Sequence, residues 1–413
     1  RPEGRLMIVR KGFRFRIYPN AEQAGRLAVQ FGHARFVYNH YLDLRSRTYQ
    51  ETGKGLTYTA TASDLVKLKR DPEFAWLREA DSQVLQQSLM DLQRAFDNFF
   101  RMCREGSLPS NKGKKPRKDG QPRGYPRFKS KHDAQSVRYP QRFKVNAGGS
   151  RIYVPKVGWV RMVMHRSIEG QMKNCTVSRT KSGKYFVSIQ CEIEVDDAKP
   201  RIDEPTIGID LGLVDFVTTS DGEKVKPPKY LRRAERRLKI RQRRLSRKAK
   251  GSRNREKARR RVALQHERVA NQRQDFHHKL SRELVDGFGH IAFENLNIQG
   301  MLGNHTLAQS IQDAGWGQFV RFCEYKQEWA GGTTSKADRF FPSSKACSAC
   351  GSLNHGLALS DRQWTCLDCG AVHDRDENAA INILNASTVG VTESYASGDM
   401  SLVGDSAQEA QAL

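Results

Sequence analysis

No apolar run in these 413 residues is long enough to cross a bilayer, and no basic helix pattern carries a row of exposed large apolar side chains, so a membrane is not the expected partner. Cysteine is sparse. Of the eight, Cys103, Cys175, Cys191 and Cys323 are scattered through helical or strand patterns, which excludes a disulfide scaffold and fits a reducing compartment. The opening RPEGRLMIVRKG lacks the apolar segment of a secretory leader, and Met7 is a candidate initiator. The largest deficit is negative charge: 45 Asp and Glu stand against 71 Lys and Arg, leaving +26 and a pI near 9.9. Such a surplus repels itself unless a polyanion receives it, and nucleic acid is the expected one. Apolar residues make up 38%, enough to bury cores in two or more domains.

What is present begins with the other four cysteines. Cys347-x-x-Cys350 is answered by Cys366-x-x-Cys369 after about fifteen residues, the pattern of a zinc ribbon closed by four thiolates around one structural Zn²⁺. A pair of disulfides or redox dithiols is the competing reading, and spacing this regular disfavours it. Gly351 and Gly370 each follow the second cysteine of a pair, where a tight turn is required. Asp374 and Asp376 then lead into NAAINIL, a short helix whose small side chains suit close packing on a flat surface. An acid at a helix start can be no more than a cap.

Along the chain, residues 8–18 alternate as a strand, and helical patterns follow over 21–31, 34–49 and 82–104. Residues 111–131, NKGKKPRKDGQPRGYPRFKSK, are too rich in Pro, Gly and Lys to fold alone. They read either as a solvated loop or as a segment that orders on a nucleic acid, with Tyr125 and Phe128 available for stacking beside Arg127 and Lys129. Strands resume at 151–164 and run through a hairpin turning at Lys181–Lys184; with the first strand these are expected to close a small barrel around the helical insertion. A polar linker, 196–205, marks a domain boundary.

Beyond it, TIGIDLG (206–212) is an apolar strand carrying Asp210, followed by a strand at 215–219. Residues 229–278 repeat apolar side chains seven apart, at Leu231, Leu238 and Leu245 and again at Val262, Val269 and Phe276. The rest of that block is overwhelmingly Arg and Lys: a helical hairpin that presents a rail for phosphates rather than an ordinary solvated face of mixed sign. HIAFEN (290–295) is another apolar strand, ending in Glu294; an amphipathic helix follows over 307–329, and 386–413 reads as a disordered tail. Asp210, Glu294 and Asp376 each sit at the end of an apolar strand or the start of a tightly packed helix, where a carboxylate is costly unless a cation satisfies it. If one sheet gathers them, they form a site for a pair of Mg²⁺ ions able to hydrolyse a phosphodiester. The order strand, later strand, late helix is that of an RNase H-like nuclease core.

The motifs YPNAEQ, ARFVYNHYL, GYPRFKSK, GIDLGL, FENLNI, SIQDAGWGQF, FPSSKACSACG and HDRDENAAINI, spread over about residues 13–385, resemble TnpB, the transposon-associated RNA-guided nuclease related to type V CRISPR effectors. The resemblance implies a multidomain α/β chain: a wedge barrel (7–33 and 138–199) interrupted by a helical recognition unit with its basic segment (34–137). A RuvC nuclease domain (200–340 and 372–390) with an inserted zinc ribbon (341–371) and a disordered tail (391–413) would follow. It implies Asp210, Glu294 and Asp376 as metal-binding catalytic acids, with Asp374 the weaker candidate because the motif sets its acid two residues before Asn378. It implies a guide RNA and target double-stranded DNA as partners, a monomer, and a prokaryotic, nucleoid-associated location in the cytoplasm. Tyr58 and Gln86 fall in the part expected to read a motif flanking the target. Two other functions stay open: an RNA-guided repressor that binds without cutting, and a transposase that needs no RNA.

Overall fold

The structure, a computed structural model, describes residues 6–108, 120–146, 148–196, 200–358 and 360–396; residues 111–119 of the expected basic segment and the tail beyond 396 lie outside them. The chain divides into two compact units, one of residues 7–194 and one from 195 onward.

The first unit opens with β1 (Leu6–Tyr18), which turns Phe13, Phe15 and Ile17 into the core and leaves Arg14 and Tyr18 outside. Pro19-Asn20 ends it, and Asn20 caps α1 (Ala21–Thr52) through a reciprocal box in which Asn20 Oδ1 accepts from Gln23 N at 2.8 Å and Gln23 Oε1 from Asn20 N at 3.1 Å. The two helices expected over 21–49 are therefore one. Gly32 lies within α1, and the buried row Leu27, Phe31, Ala34, Val37, Tyr38 and Tyr41 runs straight past it, outweighing the ~1 kcal/mol that a helical glycine costs. After α2 (Tyr58–Leu68) and a 3₁₀ turn at Pro72–Glu79, α3 (Ser82–Arg104) has the bounds its periodicity predicts, capped where Asp81 Oδ1 accepts from Gln83 N at 2.9 Å.

Six strands complete this unit: β2 (Gln135–Tyr139), β3 (Lys144–Val145), β4 (Arg151–Val154), β5 (Gly158–Val163), β6 (Gln171–Arg179) and β7 (Tyr185–Asp196). The sheet order is β2-β6-β7-β1-β5-β4-β3, so the expected barrel is a sheet whose edge strands, β2 and β3, are not paired with each other. Inward side chains from β2 at one edge to β4 beside the other still share one core with Leu27, Phe31 and Val84 of the helices.

The second unit is built on a five-stranded sheet, ordered β10-β9-β8-β11-β12, of β8 (Thr206–Asp210), β9 (Val217–Thr219), β10 (Lys224–Val225), β11 (His290–Phe293) and β12 (Thr333–Lys336). Strands β8, β11 and β12 run parallel and β8-β9-β10 antiparallel. The basic block between β10 and β11 is the expected hairpin, α4 (Tyr230–Ser246) and α5 (Arg253–Gly287), closed on Ala234, Leu238 and Val269. After a short α6 (Ile298–Met301), the single helix expected over 307–329 is two, α7 (Ala308–Ala314) and α8 (Trp316–Ala330), because Gly315 adopts φ +65° and turns the chain between them. A small hairpin, β13 (Gln363–Thr365) and β14 (Val372–Asp374), leads into α9 (Arg375–Ala396), which continues past 391, where the tail was expected to begin.

The sheet's two faces differ in bulk. Ile207, Ile209, Ile291 and Phe293 meet Leu280, Leu284, Phe319 and Cys323 of α5 and α8 on one face, whereas Ala292 meets Ile383 of α9 on the other. A Cβ at Gly208 would lie 2.1 Å from Ala380 O and 3.0 Å from Leu384 N, so only glycine allows α9 to lie this close to β8. Replacing Gly208 with Ala is expected to lower unfolding free energy by about 1–3 kcal/mol in urea titration, by overpacking against backbone; an unchanged midpoint would disprove the tight approach.

Candidate active site and metal centre

Strands β8 and β11 pair in parallel with Ile209 opposite Phe293, which brings the next residues, Asp210 and Glu294, side by side at the carboxyl ends of adjacent strands. In open parallel sheets that edge is where ligands bind. Asp376 comes from the first turn of α9, one turn before the Ala380 carbonyl that rests over Gly208. Burial, followed by the negative charges of Glu294 and Asp376, pushes the Asp210 carboxyl up to about 7; burial also raises Glu294. The three acids thus share one electrostatic neighbourhood.

Among the described residues, the cysteines are the group of three or more candidate ligands whose donor atoms all lie within 4.8 Å of one another. The Asp376 carboxylate is engaged by Arg362 Nη1, at 3.0 and 3.2 Å. Nothing in the sequence signals Arg362, one arginine in a chain full of them. Asp374, the weaker candidate, is a cap: its Oδ1 accepts from the N–H groups of Asp376 at 3.1 Å and Glu377 at 3.2 Å, and its Oδ2 pairs with Lys224 at 2.7 Å. Burial works against its charge, yet Lys224 and those amides hold its carboxyl below the usual range.

The four thiols of Cys347, Cys350, Cys366 and Cys369 gather as the spacing predicts, and all eight cysteines are free of disulfides. Sγ separations of 3.7 Å (Cys347 to Cys369) and 3.6 Å (Cys350 to Cys366) match the ~3.8 Å edge of a tetrahedron with 2.3 Å Zn–S bonds. Both knuckles fold identically. Gly351 (φ +78°) donates to Cys347 O and Gly370 (φ +72°) to Cys366 O, at 2.8 and 2.9 Å, while each leading cysteine donates to the residue after the glycine, Ser352 or Ala371, at 2.8 Å. Backbone N–H groups of Cys369 and Asp368 aimed at Cys366 pull its thiol down to about 7. His373 on β14 places Nε2 3.0 Å from Cys347 Sγ, in the position of a group that orients a metal ligand; the sequence reading missed it.

The ribbon is clamped to α9. Asn378 Oδ1 accepts from Ser348 N at 2.9 Å, and the amides of Asn378 and Asn382 each donate to Ala346 O at 2.7 Å. Both asparagines are buried, so the helix carrying Asp376 and the cysteine cluster move together.

The expected nucleic-acid residues fare unevenly. Phe128 and Arg127 are exposed, as is Gln86 on α3, while Tyr58 is half-buried against the helical core at the start of α2. Lys129 lies over the Tyr38 ring at 4.1 Å, its backbone N–H bonded to Asn39 Oδ1 at 2.8 Å. Tyr125 is packed edge-on against Phe96 and Phe99, at 5.5 and 5.2 Å, with its hydroxyl 2.8 Å from Ser46 Oγ. Its ring fastens the basic segment to α3 rather than lying open to a base.

Over 92% of its length the chain shares its fold with Cas12f1 in the "Cryo-EM structure of the Cas12f1-sgRNA-target DNA complex", at 15% identity and a TM-score of 0.52, covering 99% of that chain. Residues 188–305 match the OrfB_IS605 model, described as "Probable transposase", residues 316–383 a "Cas12f1-like, TNB domain", and residues 7–54 a "Helix-turn-helix domain". A Streptomyces pristinaespiralis protein bearing the name of an RNA-guided DNA endonuclease is 39% identical over 92% of this chain and 90% of its own length. Escherichia coli InsQ, named likewise, is 32% identical over 91% and 92%. The chain belongs to the TnpB family, the OrfB proteins of IS605-type elements.

If the four thiols hold zinc, Cys347→Ser is expected to lower zinc content, measured with a colorimetric chelator, and His373→Ala to weaken zinc affinity about 10- to 100-fold; full metal content in Cys347→Ser would contradict the ligand set. In metal-free protein the raised Asp210 carboxyl favours folding when protonated, so stability falls as pH rises from about 4 to about 7. Asp210→Asn should flatten that decline in a pH series of thermal unfolding; an identical profile would show that Asp210 does not carry it.

Proposed function

We propose that the chain is an RNA-guided DNA endonuclease: it binds a transposon-derived guide RNA, recognises a short motif beside the target, and hydrolyses DNA phosphodiesters at Asp210, Glu294 and Asp376. The observation that carries the reading is two carboxylates at the ends of adjacent parallel strands, both raised by burial and Asp210 further by the charges of Glu294 and Asp376, with the third acid at the start of the helix lying over the same strand. Carboxylates so arranged need divalent cations, and hard oxygen donors suit Mg²⁺. Bound in a pair, such ions supply a nucleophilic water at neutral pH and stabilise the leaving oxygen.

The protein's own share is positional. Lys224 and the first-turn amides fix Asp374, and with it the start of α9 and the direction of Asp376. Arg362 adds a permanent cation beside Asp376, suited to a phosphate's charge once the carboxylate turns to a metal. Helix α4, YLRRAERRLKIRQRRLS, holds Glu235 as its sole acid and offers phosphates a rail whose grip weakens steeply with salt. On this reading the sheet with α5, α8 and α9 is an RNase H-like RuvC domain (200–340 and 372–390), residues 341–371 its zinc ribbon, 7–33 and 138–199 a wedge domain, and 34–137 the recognition unit with Tyr58 and Gln86 near the flanking duplex. Base pairing with the guide supplies most of the sequence information, and the protein holds the duplex by its backbone.

Asp210→Ala should reduce cleavage at least about a hundredfold while guide-dependent DNA binding persists in a gel shift; undiminished cutting would refute the acid assignment. Wild-type cleavage should also vanish after RNase treatment. Survival of activity would favour a transposase acting without RNA, and binding without cleavage by the wild type a repressor.

A further inference from the structure

At the root of the basic hairpin, the second unit holds a cavity of about 410 Å³ that the reading above leaves unused. Its volume lies within the ~300–1,000 Å³ of small-molecule sites. Leu213, Pro228 and Phe276 give it an apolar wall, backed by Phe216 edge-on to Phe276 at 5.2 Å and by the buried His277 stacked on Phe216 at 5.4 Å. His277 Nε2 lies 2.9 Å from Ala314 O, while its Nδ1 is buried without a hydrogen-bond partner.

The polar side of the cavity is biased toward anions. Its two acids are occupied: Asp313 accepts from the N–H groups of Leu231, at 2.9 and 3.1 Å, and Arg232, at 3.3 Å, and Glu235 pairs with Lys239 at 2.5 Å. Its cations are less engaged: Lys229 and Arg232 form no ion pair within 4 Å among the described residues, though the charge of Arg232 acts on Glu235, and Arg273 is anchored by one nitrogen to the Gln312 carbonyl. Lys229 stands behind two prolines with φ +50° and ψ +44°, a left-handed conformation that a non-glycine residue holds only where its surroundings impose it. Strain of that kind concentrates at sites that grip a ligand.

An apolar wall opposite three cations, in a space of this size beside a helix pair lined with arginine, matches a planar base joined to a phosphate. We propose that this cavity binds a single unpaired nucleotide, its base against Leu213, Pro228 and Phe276 and its phosphate on Lys229, Arg232 and Arg273. The nucleotide is either one residue of a strand held along α4 and α5 or a free mononucleotide; only the first source rests on the guide-RNA reading.

The test is calorimetric titration of RNA-free, full-length protein with AMP and with UMP. Saturable binding by the wild type is expected, weakened roughly tenfold or more in Arg232→Ala, where a charge-assisted contact is lost. Ser310→Trp, which plugs the cavity from the exposed side of α7, should abolish binding without lowering the unfolding temperature. Lys229→Gly should bind more weakly yet unfold at the same or a higher temperature, since it removes the charge and the strain together. Repeating the titration on RNA-loaded protein separates the sources: exclusion of the mononucleotide assigns the site to the RNA strand, and undiminished binding to a free nucleotide. Absence of saturable binding by the wild type, or unchanged affinity in Ser310→Trp, overturns the proposal. DNA cleavage assayed on the same preparation keeps that failure distinct from a failure of the endonuclease reading.

Discussion

Much of the second unit depends on how closely one helix approaches one strand. Because Gly208 has no side chain, α9 lies with the Ala380 carbonyl and the Leu384 backbone directly on β8. That approach decides where Asp376 begins, because helix geometry is rigid and the acid is fixed one turn away. It also decides where the ribbon goes, since Asn378 and Asn382 hold the Ala346 carbonyl from the same helix. A larger residue at 208 would displace the third acid and the cysteine cluster as one body, which is why a small, apolar-looking position in a strand matters to chemistry several residues away.

The electrostatics of the site follow from the fold rather than from any one side chain. An aspartate that is buried beside a glutamate is unfavourable in isolation, and the sheet pays that cost by completing a core on its opposite face with Ile209, Phe293 and Phe319. The structure relieves part of the repulsion by giving Asp376 to Arg362 and Asp374 to Lys224. Arg375 and Arg362 offset only part of the cost at Asp210, whose carboxyl stays raised beside Glu294; two carboxylates so placed are the kind of site a divalent cation would relieve.

How much of this was legible in the sequence depended on whether the signal was local. The cysteine spacing encodes the knuckles completely, down to the left-handed glycines, because every bond that shapes a knuckle lies within six residues. The period of α3 was legible for the same reason, and so was the part of the α4–α5 seam formed by Leu231, Leu238 and Val269. Asp210 and Glu294 were readable as acids where acids are costly, but their adjacency is a property of strand order. Arg362, His373 and the paired asparagines were invisible: each works through a partner brought close only by folding, and none is an unusual residue type for its local sequence. Gly32 and Gly315 carry the same lesson. The first is overridden by the buried face of α1 and the second breaks a helix that periodicity alone would continue, and only tertiary packing distinguishes them.

The Arg362 contact also bears on how the basic surplus is distributed. Arg362 is drawn into the acid cluster, where it cancels charge, whereas Arg232 and Lys229 at the hairpin root form no ion pair among the described residues. A protein that carried its +26 only for solubility would gain nothing by leaving cations unpaired beside an apolar cavity or by holding a lysine in a left-handed turn to keep it there. Both features fit a phosphate partner: on the proposed reading the long arginine-rich faces take the regular charge of a nucleic-acid backbone, and the cavity takes a single nucleotide, whichever source supplies it.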